Sequence, residues 1–215
     1  MIVVVASAHD PRARDLVAYW GAGRAALLSA EDLSRPGWAF EVPTGERGAC
    51  VAGNRVVPDA EITGVLTLRP RIFAEELAHV AAADRTYVAA EMTAILLAWV
   101  ATRRYPVVNA PSARSLAGPD WPAARWRHEA ARLGIPLADA GAPASSEIVF
   151  ICGQAFGSED VRFRGRLAAL AQAACCEALA GSFTATGGLI SATPWPPLVT
   201  EAVREALGRR LGSGR

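Results

Sequence analysis

The stretch MIVVVASAHDPRARDLVAYW, residues 1–20, decides the fold. A β-branched run at 2–6 is closed by Ser7-Ala8-His9-Asp10-Pro11, and residues 14–20 then carry apolar side chains at helical spacing. This order predicts a buried strand, a turn and a helix at the start of the chain.

Strands and helices go on alternating through the first half. Apolar strands are predicted at 25–28, 64–68 and 106–109, and a hairpin at 51–56 turns at Gly53-Asn54. Residues 72–103 hold two helical patterns, and the second (87–102) is so apolar that we expect it to be mostly buried. The alternation predicts an α/β fold with a mainly parallel, doubly wound N-terminal domain.

The second half predicts a smaller α+β portion. It contains a Trp-rich helix at 122–133, a strand at 148–152, a turn at Gly153–Gly157, a helix at 167–180, a strand at 189–192 and a terminal helix at 198–211. A loop rich in Ala, Gly, Pro and Ser at 139–146 is the best candidate for a junction. We therefore expect two domains, 1–138 and 147–215.

Composition excludes several classes of function. The 22 basic residues balance 21 acidic ones, which argues against a nucleic-acid or anionic-membrane partner. No apolar stretch approaches the roughly 18 residues that span a bilayer, and the first strand does not resemble a secretion signal, so we expect a cytoplasmic protein. The four cysteines show no metal-ligand spacing, and we expect free thiols and no metal.

All 22 basic residues are arginines, and the chain contains no lysine. Neither a Schiff base nor a phosphate-binding lysine is therefore available to it.

Ligands of doubly wound sheets bind beyond the carboxyl ends of the strands, and two arginines lie at one such end. Arg69 and Arg71 flank Pro70 and suit a bidentate grip on a carboxylate or phosphate, or alternatively a salt bridge. Glu91 lies in the apolar helix, where an unpaired carboxylate is costly to bury. We predict that it pairs with Arg69 or Arg71.

Three further ligand-binding candidates lie at the other strand ends. Asp10 follows the first strand and either binds a ligand or caps the next helix, and capping is favoured because Pro11 follows. Asn109 and Ser112 follow the strand at 106–109, where an asparagine commonly satisfies loop backbone groups. No catalytic residue is predicted.

The order of these features resembles the N-terminal domain of ATP-grasp ligases, in the branch of the ribosomal-protein and microviridin-type peptide ligases. The matching features are the opening strand and Asp-containing turn, Arg69-Pro70-Arg71, Glu91 within a long helix, Val108-Asn109-Ala110-Pro111, and Gly134-Ile135-Pro136 after a helix. The resemblance covers residues 1–138. It implies that 147–215 is a reduced remnant of the C-terminal portion.

The resemblance also implies catalytic parts that this sequence lacks. Family members neutralise ATP with lysines and with Mg²⁺ held by an E-x-N motif and a nearby acid. No lysine follows Pro119-Asp120-Trp121-Pro122, only 81 residues (135–215) follow Gly134, and no asparagine follows Asn109. The segment where E-x-N is expected reads Gly187-Gly188-Leu189-Ile190-Ser191-Ala192.

The expected function is a non-catalytic pseudo-ligase without a nucleotide-binding lid and without a cofactor. Its expected partner is a protein, a peptide or a small carboxylate. The expected role of this chain is that of an accessory subunit of a complete ATP-grasp ligase in a homo- or hetero-oligomer. Two alternatives stay open. One is an active carboxylate–amine ligase that uses ATP and Mg²⁺, and the other is an unrelated small-molecule enzyme built on Arg69, Arg71 and Glu91.

Overall fold

The computed structural model describes residues 1–40, 48–102, 105–197 and 200–212. Contacts divide the chain into two units, Met1–Ala117 with Gly208–Arg215, and Gly118–Leu207. The sequence placed the division between residues 138 and 147, whereas the units divide at Gly118, so the Trp-rich helix groups with the second unit.

The first unit is built on a parallel sheet. Its elements are β1 (Ile2–Val5), α1 (Pro11–Trp20), β2 (Ala25–Leu28), α2 (Ala30–Leu33), β3 (Ala49–Ala52), β4 (Arg55–Pro58), β5 (Gly64–Thr67), α3 (Arg85–Ala101) and β6 (Val107–Val108). The strand order is β2-β1-β5-β6, all pairs parallel, and β3 and β4 form a separate hairpin. The predicted parallel sheet and the hairpin at Gly53-Asn54 are both confirmed.

Local chemistry explains the first two elements. All four side chains of β1 are buried, which is typical of a strand inside a parallel sheet. Asp10 caps α1 and Pro11 occupies its first turn, where the missing N–H costs nothing. Gly21 ends the helix with a φ of 84°.

Helix α3 differs from the prediction. Its buried residues form one stripe, Ala89, Leu96, Trp99 and Val100, while Tyr87 is 69% exposed. The helix is therefore not mostly buried, because its apolar residues surround the axis and only one face contacts the core. The earlier helical pattern in 72–103 is a single 3-10 turn, Ala74–Glu76.

The second unit is built on an antiparallel sheet. The remaining elements of the chain are α4 (Ala123–Arg132), β7 (Ser146–Ile151), β8 (Gln154–Gly157), α5 (Val161–Ala173), β9 (Ala178–Phe183), β10 (Leu189–Thr193) and α6 (Glu201–Gly212). The strand order of the sheet is β10-β9-β7-β8. Leu167, Leu170, Leu179 and Phe183 are fully buried in the core of this unit. The α/β fold with a parallel first half and an α+β second half is confirmed.

Two predicted boundaries in this unit are wrong. The helix expected at 167–180 ends at Ala173, and β9 follows it. The hairpin turns at Cys152-Gly153, so most of the expected turn at Gly153–Gly157 is strand β8. The terminal helix begins at Glu201, and residues 198–199, where it was expected to start, lie outside the described residues.

No helix in the described ranges combines the length and the apolar character that crossing a bilayer requires.

Candidate functional site

The carboxyl ends of β1, β5 and β6 lie at one edge of the parallel sheet. The register sets Val5 beside Thr67, and Leu66 beside Val108. The chain therefore brings Ser7, Arg69 and Asn109 to the edge where ligands bind in open α/β sheets. The predicted placement of these strand ends at one edge is confirmed, and ligand binding there stays a prediction.

Arg69 is held in place by a bidentate ion pair with Glu76. Its side chain is only 5% exposed, Nη1 donates to Glu76 Oε1 at 3.2 Å, and Nη2 contacts Oε2. Nε donates to the carbonyl oxygen of Arg71 at 2.7 Å. These bonds occupy the fork that a ligand carboxylate or phosphate would need, so the salt-bridge alternative for Arg69 is the one that the geometry favours.

Glu76 is a functional neighbour that the sequence analysis missed. Burial by itself would raise its pKa, but hydrogen bonds from Arg69 and from the Ser7 hydroxyl outweigh burial and lower the pKa below its ordinary value. No continuous helix or strand joins Arg69 to Glu76, so only the returning loop brings the two together. The carboxylate thereby ties this loop to the end of β1.

The prediction that Glu91 pairs with Arg69 or Arg71 is wrong for the described residues: Arg69 pairs with Glu76, and Arg71 lies against Phe73. The side chain of Glu91 is exposed on α3, and Glu76 takes the position beside the Arg69 guanidinium. The premise of a buried carboxylate was wrong because the face of α3 that carries Glu91 does not face the core.

Arg71 is the more accessible of the two arginines. It is exposed, and its guanidinium carbon lies 5.3 Å from the ring centroid of Phe73, which is 38% exposed. The guanidinium of Arg69 lies 5.6 Å from the same ring. An exposed cation stacked on an aromatic ring is pre-oriented and suits an anionic group of a ligand.

Asp10 has the contacts of a helix cap. It accepts a hydrogen bond from the backbone N–H of Arg12 at 3.0 Å, and its carboxylate forms an ion pair with the Arg12 guanidinium at 2.8 Å. The side-chain hydrogen bond from Arg12 is the main reason that the pKa of Asp10 is lowered. Of the two roles considered for Asp10, these contacts favour capping.

Asn109 and Ser112 shape the loop after β6. Asn109 is buried and has a φ of 56°, a left-handed conformation that asparagine tolerates well. Ser112 and Ser115 exchange two backbone hydrogen bonds in a tight turn, of 2.9 and 3.3 Å. That Asn109 satisfies backbone groups of this loop stays a prediction.

A second polar surface lies on the antiparallel sheet of the other unit. Ser191 is opposite Ser182, and Ser182 is opposite Glu147. Opposite residues share a face of a sheet, and Thr193 shares it by the two-residue period. The face therefore carries three hydroxyls and one carboxylate. The alternation in Leu189–Thr193 was the sequence signal for it.

This face includes the segment where the resemblance places the metal-binding E-x-N motif. Strand β10 reads LISAT and has no carboxylate or carboxamide, and hydroxyls add no charge to offset a triphosphate. Within the part of the chain that the structure describes, no three His, Cys, Asp or Glu side chains group as metal ligands. The donors present do not match the set that the resemblance implies for Mg²⁺ and ATP.

Comparison with known proteins finds relatives at the level of structure. No family model matches the chain, and no curated protein matches it. Macrocyclase MdnC of Microcystis aeruginosa MRC, solved with precursor peptide MdnA, superposes with a TM-score of 0.70 at 12% identity, covering 98% of each chain. A RiPP-associated ATP-grasp ligase of Chryseobacterium gregarium, solved with ADP and a leader and core peptide, has a TM-score of 0.62 at 9% identity. That alignment covers 98% of this chain and 96% of the ligase.

A third similar structure contains magnesium. ATP-grasp ligase PsnB, complexed with minimal precursor, Mg and ADP, has a TM-score of 0.60 at 12% identity and covers 94% of this chain and 92% of its own. The superpositions run through both units, well beyond the first 138 residues from which the resemblance was recognised. This chain has the fold of the RiPP-associated ATP-grasp ligases.

Proposed function

We propose that this protein is a non-catalytic relative of the ATP-grasp ligases and that it binds a peptide. The observation that supports this proposal is the set of side chains on the β9–β10 sheet face. Ser182, Ser191 and Thr193 lie there, and the sequence contains no lysine. Phosphoryl transfer to a carboxylate needs concentrated positive charge around the triphosphate. The resemblance implies that lysines and Mg²⁺ supply this charge, and the sequence has neither a lysine nor the E-x-N motif that would hold Mg²⁺.

The segment that follows α4 supports the same proposal. Residues 136–145 link the loop after α4 to β7 with no helix or strand in them, apart from an isolated bridge at Leu137. A nucleotide-binding lid of the kind that the resemblance implies has no element to form it there.

A peptide partner is supported by the similar structures, several of which were solved with precursor peptides. Arg71 stacked on Phe73 offers one anchor for a carboxylate of such a partner. A complete ATP-grasp ligase as the partner, with this chain as its accessory subunit in a homo- or hetero-oligomer, extends this proposal.

Isothermal titration with ATP and Mg²⁺ tests the non-catalytic proposal. We expect no binding heat, since the sequence has no lysine for the triphosphate and the described residues form no carboxylate cluster for Mg²⁺. A dissociation constant in the millimolar range or below, with ADP formed when an acid and an amine are added, would establish the active carboxylate–amine ligase instead.

The third candidate, an unrelated enzyme built on Arg69, Arg71 and Glu91, loses support from the geometry. Arg69 is committed to Glu76, and Glu91 is exposed on α3, so the three side chains do not form the expected pocket.

A further inference from the structure

The second unit contains a groove of about 380 Å³. One wall is the segment 136–145, and the other is the turn at 184–188 between β9 and β10. This volume lies near the lower end of the range for small ligand sites. It is distinct from the strand-end residues and from the hydroxyl face described above.

The first wall is fixed to the sheet and to α4. The Ala138 N–H donates to the Leu189 carbonyl at 3.0 Å, and the Leu189 N–H donates to the Pro136 carbonyl at 2.7 Å. Arg127 of α4 donates through Nη2 to the Ala138 carbonyl at 3.1 Å. An arginine therefore holds the backbone of this wall without lining the groove.

The opposite wall, the turn at 184–188, is also fixed by side-chain hydrogen bonds. Thr184 Oγ1 accepts from the Gly188 N–H at 2.9 Å and lies 3.0 Å from Thr186 Oγ1. Arg166 of α5 donates through Nη1 to the Gly187 carbonyl at 2.8 Å. Both walls are thus pre-organised by a side chain from a neighbouring helix, which reduces the entropy lost when a ligand binds.

The lining chemistry selects the occupant. Leu137 is 37% exposed and lies among prolines and alanines, and the hydroxyls of the threonines add neutral polar groups. Asp139 is the one charged residue among the described residues that line the groove, and no arginine lines it although the chain has 22. Phosphates and carboxylates are therefore disfavoured, and an apolar side chain next to a neutral or basic residue is favoured.

We propose that this groove holds an apolar side chain of a basic peptide segment, with Leu137 as its apolar contact and Asp139 facing a neighbouring cation. The inference rests on the proposed peptide-binding function and assigns that function a place and a charge preference. Arg127 and Arg166 act as positioning residues.

Selection of randomised, phage-displayed dodecapeptides on the whole protein tests it. We expect enriched peptides to carry an apolar residue beside a lysine or arginine. An enriched peptide is then synthesised with a fluorescent label at one terminus, and its affinity is measured by fluorescence anisotropy. Leu137→Asp should weaken binding by about tenfold or more, and Asp139→Asn should weaken binding of the basic peptides only.

Leu133→Asp is the matched control, since Leu133 is 39% exposed but does not line the groove. Ala144→Arg blocks the groove from an exposed position and replaces Leu137→Asp if that variant does not melt like the wild type. Equal affinity of the groove and control variants would overturn the inference and leave peptide binding intact. Acidic peptides that depend on Arg71 would also overturn it, and the absence of any enriched peptide would overturn the proposed function itself.

Discussion

Glu76 shows how one side chain decides what the strand-end edge can do. Its two oxygens take the guanidinium of Arg69, and its hydrogen bond with Ser7 closes the loop over the end of β1. Arg71 is left at the surface. The difference between a structural and a ligand-facing arginine, two positions apart, therefore depends on which of them Glu76 reaches.

Replacing Glu76 with alanine should destabilise the protein by about 3 kcal/mol at neutral pH, because the buried guanidinium of Arg69 would lose its counter-charge. The effect should also depend on pH. Since the pKa of Glu76 is lower in the folded protein, its contribution is complete above the unfolded value of about 4.3 and is lost as the pH falls through the folded pKa. Urea unfolding across the acid range measures both effects.

Glu75→Ala is the control, because Glu75 is an exposed neighbour on the same 3-10 turn. It should change the free energy of unfolding by less than about 0.5 kcal/mol. An equal loss in both variants would mean that the turn, and not the ion pair, carries the stability.

At the scale of elements, the sequence predicted the strands and turns whose residue pattern is local. It missed the elements whose positions depend on tertiary contacts. The apolar run of β1 and the Gly53-Asn54 hairpin are set by neighbouring residues, and both were predicted. Strand β9 was not, because Ala178–Phe183 follows an Ala-rich helix and carries no alternation, since both faces are largely buried. The edge of the site was therefore predictable, whereas the Arg69–Glu76 pairing depended on a loop path that no spacing encodes.

The β7–β8 hairpin contains a residue in an unfavourable conformation. Cys152 has a φ of 48° and Gly153 a φ of 89°, and such two-residue turns favour asparagine or glycine at the first position. We expect Cys152→Gly to be more stable than Cys152→Ala by about 1 kcal/mol, since alanine keeps the left-handed strain and glycine removes it. Thermal unfolding of both variants measures the difference.

This pair of variants separates the backbone from the thiol. Both remove the contact between Cys152 Sγ and Glu177 Oε2 at 3.8 Å, so that contact cancels in the comparison. Equal melting temperatures would show that the turn is not strained at this position.

At the scale of the whole molecule, the chain combines the fold of the ligases with a sequence that contains no lysine. Superpositions that cover 92% or more of each similar structure show that the architecture persists at 9–12% identity. The burial of apolar side chains maintains a fold, whereas a catalytic site depends on particular charged side chains. A chain can therefore retain the fold without the site. The proposed loss of catalysis accordingly rests on the hydroxyl side chains of the β9–β10 face together with the absence of lysine from the sequence.

The topology of the chain offers a test of its own, because the last turn of α6 returns to the first unit. A Cβ added to Gly64 in β5 would lie 2.7 Å from the Leu211 carbonyl oxygen and 2.9 Å from its Cα. Strand β5 is central in its sheet and cannot move away, so Gly64→Ala should destabilise the protein by about 1–3 kcal/mol in urea unfolding. Gly165→Ala in α5 meets nothing within 4 Å and should instead stabilise it by about 1 kcal/mol. Because the atoms that Gly64→Ala meets belong to the backbone and Cβ of Leu211, adding Leu211→Ala should not rescue it, and a rescue would contradict the close approach of α6 to β5.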